Sequence, residues 1–242
     1  MKKKYVLFIL IAGLITFLSC TINKLNNEKT VITLETNSVD NPTIISVTKG
    51  AQWSHKFTPG PFIIHIYPQI VFWIENDKEN FFETLYITGA NGKYSKNATK
   101  NNLDDEFFKL CFPVWTSRTI NANKKLPTKE EPYTDAVTSP TPQSSFDLNI
   151  SLGKIPAPFT IYAEINKSGD YNETYTKEST DWIGQPSIVY ANEISEINKN
   201  QKYHLKPIGR SGIPSDSTGF YLNLEGIDTA LELVSDISVI FK

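Results

Sequence analysis

Polar and apolar positions along the chain fall mostly into short runs separated by turn residues. Residues 31–35 and 43–47 are β-branched runs parted by Asn41-Pro42, a turn signal. Residues 62–66 and 69–75 follow, divided by Pro68. In the second run Ile70, Phe72 and Ile74 face one way and Val71 and Trp73 the other, which predicts a strand covered on both faces. Residues 76–80 form a polar turn, 81–88 the return strand of a hairpin, and Gly89-Ala90-Asn91-Gly92 its close. Residues 146–152 resume strand character. Residues 159–166 alternate, with Phe159, Ile161, Ala163 and Ile165 inward and Thr160, Tyr162, Glu164 and Asn166 outward. Further strands are expected at 171–176, 187–194, 203–207, 221–224 and 238–241.

Two stretches read as helical. Residues 103–110 open with Asp104 and Asp105, where the helix dipole favours acids, and Pro113 stops them. Residues 229–235 form the other. The stretch 121–145, rich in Lys, Pro, Thr and Ser, lacks periodicity and reads as a long loop, either functional or mobile. Short strands with turns every ~8–12 residues predict an all-β sandwich with long loops and one or two short helices. It would occupy 31–242 as a single domain.

The N-terminus has a different pattern. Lys2-Lys3-Lys4 precedes an apolar run at 5–18, about fourteen residues, short of the ~20 a spanning helix needs. It ends at Phe17-Leu18-Ser19-Cys20, which fits a signal peptide over 1–19 cleaved to leave Cys20 first. The segment resembles a bacterial lipoprotein signal, with Phe17 where Leu is usual. That resemblance implies a diacylglycerol thioether on Cys20 and an acylated (palmitate-type) N-terminus. Several acyl chains give durable anchoring. Residues 20–30, polar and Asn-rich, then read as a tether.

Composition changes the picture in two places. The formal charge is -2, but without Lys2, Lys3 and Lys4 the balance is 21 basic against 26 acidic residues, near -5. Arg118 and Arg210 are the only arginines, so phosphate forks are scarce and nucleic acid is not an expected partner. With Cys20 lipidated, Cys111 has no partner, and its neighbours Phe107, Phe108, Leu110 and Phe112 mark it as a buried small hydrophobe.

Catalytic motifs are sparse. In Gly209-Arg210-Ser211-Gly212 the second glycine arrives one residue early for a nucleophile elbow. His55, His65 and His204 lack zinc-ligand spacing, and His65 reads as half-buried within its strand. Asp104-Asp105-Glu106 reads as a helix start rather than a calcium loop. No metal site is expected. Glu164 with Asp170 and Glu173 flanks a turn and reads as a solvated edge, with acid–base work by Glu164 and Asp170 as the rarer alternative. Trp73 reads as core. Trp53 and Trp182, in polar surroundings, are candidates to line a groove for a carbohydrate or other ring.

One loop carries a sharper signal. Asp135-Ala136-Val137-Thr138-Ser139-Pro140-Thr141 resembles the D-x-x-[ST]-G-A-T sequence on which bacterial flavin transferases esterify FMN, here at Thr141. Ser139 and Pro140 replace the usual Gly and Ala, and Pro140 biases Ser139 toward an extended conformation. No other cofactor is expected.

A wider likeness rests on Trp53-Ser54-His55, Pro68-Gln69-Ile70-Val71-Phe72-Trp73-Ile74-Glu75, Glu83-Thr84-Leu85-Tyr86-Ile87-Thr88 and Phe112-Pro113-Val114-Trp115. It continues through Asp135-Ala136-Val137-Thr138, Glu164-Ile165-Asn166-Lys167-Ser168, Asp170-Tyr171-Asn172 and Gly184-Gln185-Pro186-Ser187. In that order, over roughly 43–241, they resemble a family of uncharacterised prokaryotic exported proteins. The family is similar to the periplasmic domain of unknown function often mislabelled as a flagellar hook-capping protein. The resemblance implies an immunoglobulin-like sandwich, and relatives often carry the fuller Gly-Ala-Thr loop. Relatives also occur beside flavin-transferase and membrane-reductase genes. No catalytic residues carry over.

The expectation is a lipid-anchored cell-envelope protein facing the periplasm or the exterior. It would act as a non-catalytic binding or assembly module, its partner another envelope protein or a small ligand. The alternative is a flavin-carrying or accessory component of an extracytoplasmic electron-transfer system, with FMN on Thr141.

Overall fold

The computed structural model describes residues 29–33, 41–58, 60–76, 81–88, 110–127, 137–139, 141–153, 155, 157–213, 216 and 219–242. The expected signal segment at 1–19, Cys20 and most of the expected tether lie outside the described residues, as do Asp104-Asp105-Glu106 and the turns expected at 77–80 and 89–92.

Strands dominate. The first six are β1 (Thr30–Thr33), β2 (Pro42–Lys49), β3 (His55–Phe57), β4 (Ile64–Ile66), β5 (Gln69–Asn76) and β6 (Phe81–Thr88). Helix α1 (Pro113–Asn121) follows, then β7 (Val137–Ser139), β8 (Phe146–Ser151) and β9 (Phe159–Asn166). After the short helix α2 (Lys177–Thr180) come β10 (Ile188–Ile194), β11 (Lys202–His204), β12 (Lys206–Ser211) and β13 (Phe220–Tyr221). A 3-10 turn (Thr229–Glu232) leads into β14 (Val234–Phe241).

Two sheets face each other. One has the order β1-β8-β2-β14-β11, the other β13-β12-β10-β9-β5-β6-β7. The pairs β1·β8 and β6·β7 are parallel, and the remaining sheet neighbours are antiparallel. Between the sheets lies one core. Ile45, Val47, Phe146, Leu148, Ile237 and Val239 come from the first sheet; Ile70, Phe72, Ile161, Ala163, Ile165 and Ile188 come from the second. Phe159 meets Phe241 edge-on across the gap, with ring centres 6.2 Å apart. Each large apolar side chain fully buried there contributes roughly 1.5–3 kcal/mol. The all-β sandwich follows from this alternation.

The seven-stranded sheet is also covered on its outer face. Val71, Trp73, Phe82, Ile87 and Val189 pack there against Cys111, Phe112, Val114 and Trp115. Every residue of β5 from Ile70 to Asn76 is therefore buried, as its unbroken apolar run predicts. Cys111 sits inside this layer as an ordinary small apolar side chain.

Several expected elements are redrawn. Pro113 opens α1 at its first turn, where its missing N–H costs nothing, instead of merely ending a helix; Leu110 and Cys111 are helical before the break at Phe112. The 121–145 loop contains β7, an edge strand beside β6. Residues 171–176 form no strand, because Asn172 Oδ1 accepts from the backbone N–H groups of Thr174 and Tyr175, at 3.0 and 2.7 Å. Such an Asx turn bends the chain away from any ladder. The expected strand at 203–207 divides at Leu205, with β11 in one sheet and β12 in the other. At 229–235 the helix ends at Glu232 and the strand begins at Val234. Phe62 and Ile63 precede β4, which pairs only with β3.

The core makes a direct demand on stability. Phe72→Ala removes a fully buried ring from the central strand and is expected to cost about 3–5 kcal/mol. Urea denaturation of the two proteins measures that loss.

Candidate functional site

Helix α1 begins without a cap of its own. Phe112 occupies the N-cap position and offers no side-chain acceptor, and Pro113 has no N–H to place. The exposed donors of the first turn are then the backbone N–H groups of Val114 and Trp115. Both point at Glu164 on β9: Val114 N–H donates to Oε1 at 3.3 Å and Trp115 N–H to Oε2 at 2.8 Å. Ser187 Oγ donates to Oε1 at 2.5 Å. Glu164 is 0% exposed. Burial pushes its carboxyl up to about 7, with the hydrogen bonds from Ser187, Trp115 and Val114 opposing the rise. Burial also lifts the Cys111 thiol well above its usual range, and the nearby Glu164 adds to that. Trp115 Nε1 donates to Thr84 Oγ1 at 3.1 Å, and Arg118 pairs with Glu75 at 3.1 Å, so the helix is tied to the sheet at three places.

A second polar cluster lies where β9 ends. Lys167 is buried, and its ammonium donates to the Gln52 carbonyl at 2.8 Å and stands 3.7 Å from Asp170. Asp170 Oδ1 accepts from Thr229 Oγ1 at 2.9 Å, and Thr229 Oγ1 accepts from Gln185 Nε2 at 2.6 Å. Gln185 Oε1 accepts from Asp228 N–H, while the Gln185 carbonyl accepts from Asn166 Nδ2. Gly184 lets the two ends of the β9–β10 connection touch: at φ +82° it pairs with Asp170, and a Cβ there would lie 2.5 Å from the Asp170 nitrogen. Burial lowers the Lys167 ammonium, and Asp170 resists. His55 is lowered by burial and then by the Lys167 charge, against Asp170. Gln69 Oε1, Asn166 Oδ1 and Asp170 Oδ2 are buried here without a hydrogen-bond partner. Sequence reasoning missed Lys167, Gln185, Ser187 and Thr229 as members of these clusters.

A third feature is apolar. Among the described residues strands β3 and β4 pair only with each other, with His55 opposite Ile66, Lys56 opposite His65 and Phe57 opposite Ile64. The hairpin leaves Phe57 53%, Phe62 68%, Ile63 63% and Ile64 46% exposed. His65 is exposed too, its ring stacked 6.3 Å from Tyr67, so the half-buried histidine expected at that position is corrected: β4 has no sheet behind it.

No protein-family model, curated protein or solved structure matches the chain.

The expected site residues separate. Trp53 is 3% exposed in the core between the sheets and donates Nε1–H to the Pro142 carbonyl at 3.1 Å. Trp182 packs half-buried against the outer layer, on the other side of the seven-stranded sheet. They line no common groove. Glu164 is not a solvated edge residue; α1 covers the outward face of β9 at that point. Its carboxylate is occupied by helix donors and closed to solvent, which removes the acid–base pairing with Asp170. Ser211 belongs to β12 and its hydroxyl donates to the Gly212 carbonyl, so that segment is no elbow. Among the described residues no group of three or more His, Cys, Asp or Glu side chains is placed to hold a metal ion. Asp135, Ala136 and Pro140 lie outside the described residues. Thr141 is half-buried and its hydroxyl donates to the Pro68 carbonyl, so flavin attachment there would have to break that bond.

Glu164 makes stability depend on pH. Its folded value near 7 lies above the ordinary 4.5, so between these values the folded chain holds the extra proton. The stability it contributes is fully present below about pH 4.5 and declines as pH rises to about 7, by about 3 kcal/mol. Urea denaturation of wild type and Glu164→Gln across this window is expected to show wild type losing that amount relative to the variant as pH rises. A pH-independent difference contradicts it.

Proposed function

We propose that the chain is a lipid-anchored cell-envelope protein, attached through Cys20, that works as a non-catalytic binding or assembly module. The observation that carries this reading is the β3–β4 hairpin, which stands outside both sheets and presents four large apolar side chains. Monomeric proteins mostly scatter exposed hydrophobic residues singly, and clustered ones mark contact surfaces. The remaining chemistry-bearing groups support the same reading: Glu164 is used by a helix, Cys111 by packing, and Lys167 with Asp170 by the loops around Gln185.

Among the described residues no helix is long and apolar enough to cross a membrane. In this reading attachment belongs to Cys20, and recognition to the sandwich surface. The partners that fit are an apolar surface in the envelope, on a protein or a small ligand, and the membrane that holds the anchor. A nucleic acid would meet a chain near -5 with two arginines.

Intact-mass analysis of the membrane-extracted protein tests the attachment. The expected species begins at Cys20 and carries diacylglycerol and an N-terminal acyl chain. Cys20→Ala is expected to lack that mass. An unmodified Cys20 in the native protein refutes the anchor.

A further inference from the structure

The exposed apolar side chains are concentrated. Of the nine large hydrophobic residues exposed among the described positions, Phe57, Phe62, Ile63 and Ile64 lie within eight positions of one hairpin. Its charge also differs from the rest of the chain. From Asn41 to Ile74 there is no Asp or Glu, whereas Lys49, Lys56, His55 and His65 are all in that stretch. An acid-free apolar tip on a chain near -5 suits a surface that is apolar inside and anionic outside.

Its position in the fold agrees. The hairpin leaves the sandwich just after Gly50, Gln52 and Trp53, which are held by Glu232, Leu233 and Pro142. Thr30, where the tether enters β1, is bonded to Ser145, and Ser145 Oγ accepts from Lys49 N–H. The chain therefore arrives from Cys20 at the same end from which the hairpin projects. Thr30 is ten positions after Cys20, a reach of at most about 35 Å. That is little more than one eight-residue strand such as β2, about 26 Å long. An anchor on this tether holds the hairpin end of the sandwich within that reach of the bilayer.

We propose that the β3–β4 hairpin is a membrane-contact element. Phe57, Phe62, Ile63 and Ile64 enter the boundary between headgroups and acyl chains, and the sandwich stands end-on against the lipid. The backbone sets the depth. Among the described residues neither strand has a partner on its outer edge, and unpaired peptide groups are excluded from the hydrocarbon interior, so only side chains penetrate. The inference rests on the Cys20 anchor for its orientation, but its test reads the hairpin separately.

The test uses the full, native protein reconstituted in vesicles of phosphatidylcholine and phosphatidylglycerol. An environment-sensitive dye is placed through Ile63→Cys, and in a control through Lys199→Cys. Lys199 is exposed in the turn before β11, next to the Asn200–Phe241 bond at the far end of the sandwich. Buried Cys111, its thiol pushed up, does not compete for the label. The dye at 63 is expected to shift to the blue and be quenched by spin-labelled lipid, and the dye at 199 to do neither. Adding Phe62→Asp to the Ile63→Cys protein is expected to abolish the quenching. Lipid quenching at 63 that persists with Cys20→Ala, which leaves no second accessible thiol for the dye, upholds the hairpin independently of the anchor. A lipidated Cys20 with a water-exposed dye at 63 overturns the hairpin alone. A blue shift without lipid quenching, requiring an added envelope protein, overturns it in favour of a protein partner.

Discussion

The carboxylate of Glu164 joins two layers that would otherwise be held by packing alone. It stands on β9, near the middle of the seven-stranded sheet, and receives the first free N–H groups of α1 together with the Ser187 hydroxyl. A helix begun by Phe112 and Pro113 has no local acceptor to offer, so its start is fixed by a residue fifty positions later. The arrangement closes a circle. The helix hides the carboxylate from water, the carboxylate supplies the acceptor the helix lacks, and Trp115 and Val114 cover Trp73 and Val71 between them. Removing any one member exposes the others to a cost that none bears alone.

The polar cluster at Lys167 works by the same rule at the end of the same strand. Three loops, carrying Gln52, Asp170 with Gln185, and Thr229, meet around one buried ammonium and one carboxylate. Replacing such a pair by apolar residues would satisfy packing equally well, but would not tell each loop where to stop. The hairpin leaves the sandwich beside this cluster, its root fixed where Gln52 receives Lys167 and its tip given over to contact.

Strands were readable in the sequence wherever one residue pattern served one environment. Residues 159–165 alternate because one face meets the core, and β5 is apolar from Ile70 to Ile74 because both faces are covered. The pattern misled where a polar residue was buried by a distant element. Nothing near Glu164 announces that residues 113–115 will lie across it, and the acid looks solvated until they do. Trp53 misled in the opposite sense: its polar neighbours suggested a groove, but one carbonyl, that of Pro142, is enough to satisfy its indole inside the core. The short strings that carry the resemblance proved informative in another way. Glu164, Asn166, Lys167, Asp170, Asn172, Gln185 and Ser187 all belong to them, and all take part in buried or half-buried polar contacts. Asn172 also explains the failed strand at 171–176, because its side chain satisfies backbone groups that a ladder would have used.

The pairing of β2 with β14 has a consequence for timing. Thr43 lies opposite Phe241, and every residue pair along that ladder joins the two ends of the described sandwich. A chain made or threaded from its N-terminus can assemble β5 with β6 early, since they are neighbours in sequence. The other sheet has to wait: β2 has β8 on one side and an open edge on the other until the final strand emerges. During that interval Ile45 and Val47 lack the Ile237 and Val239 that will eventually bury them. The half-made sheet is thus the stage at which the chain most needs protection from pairing with the wrong strand.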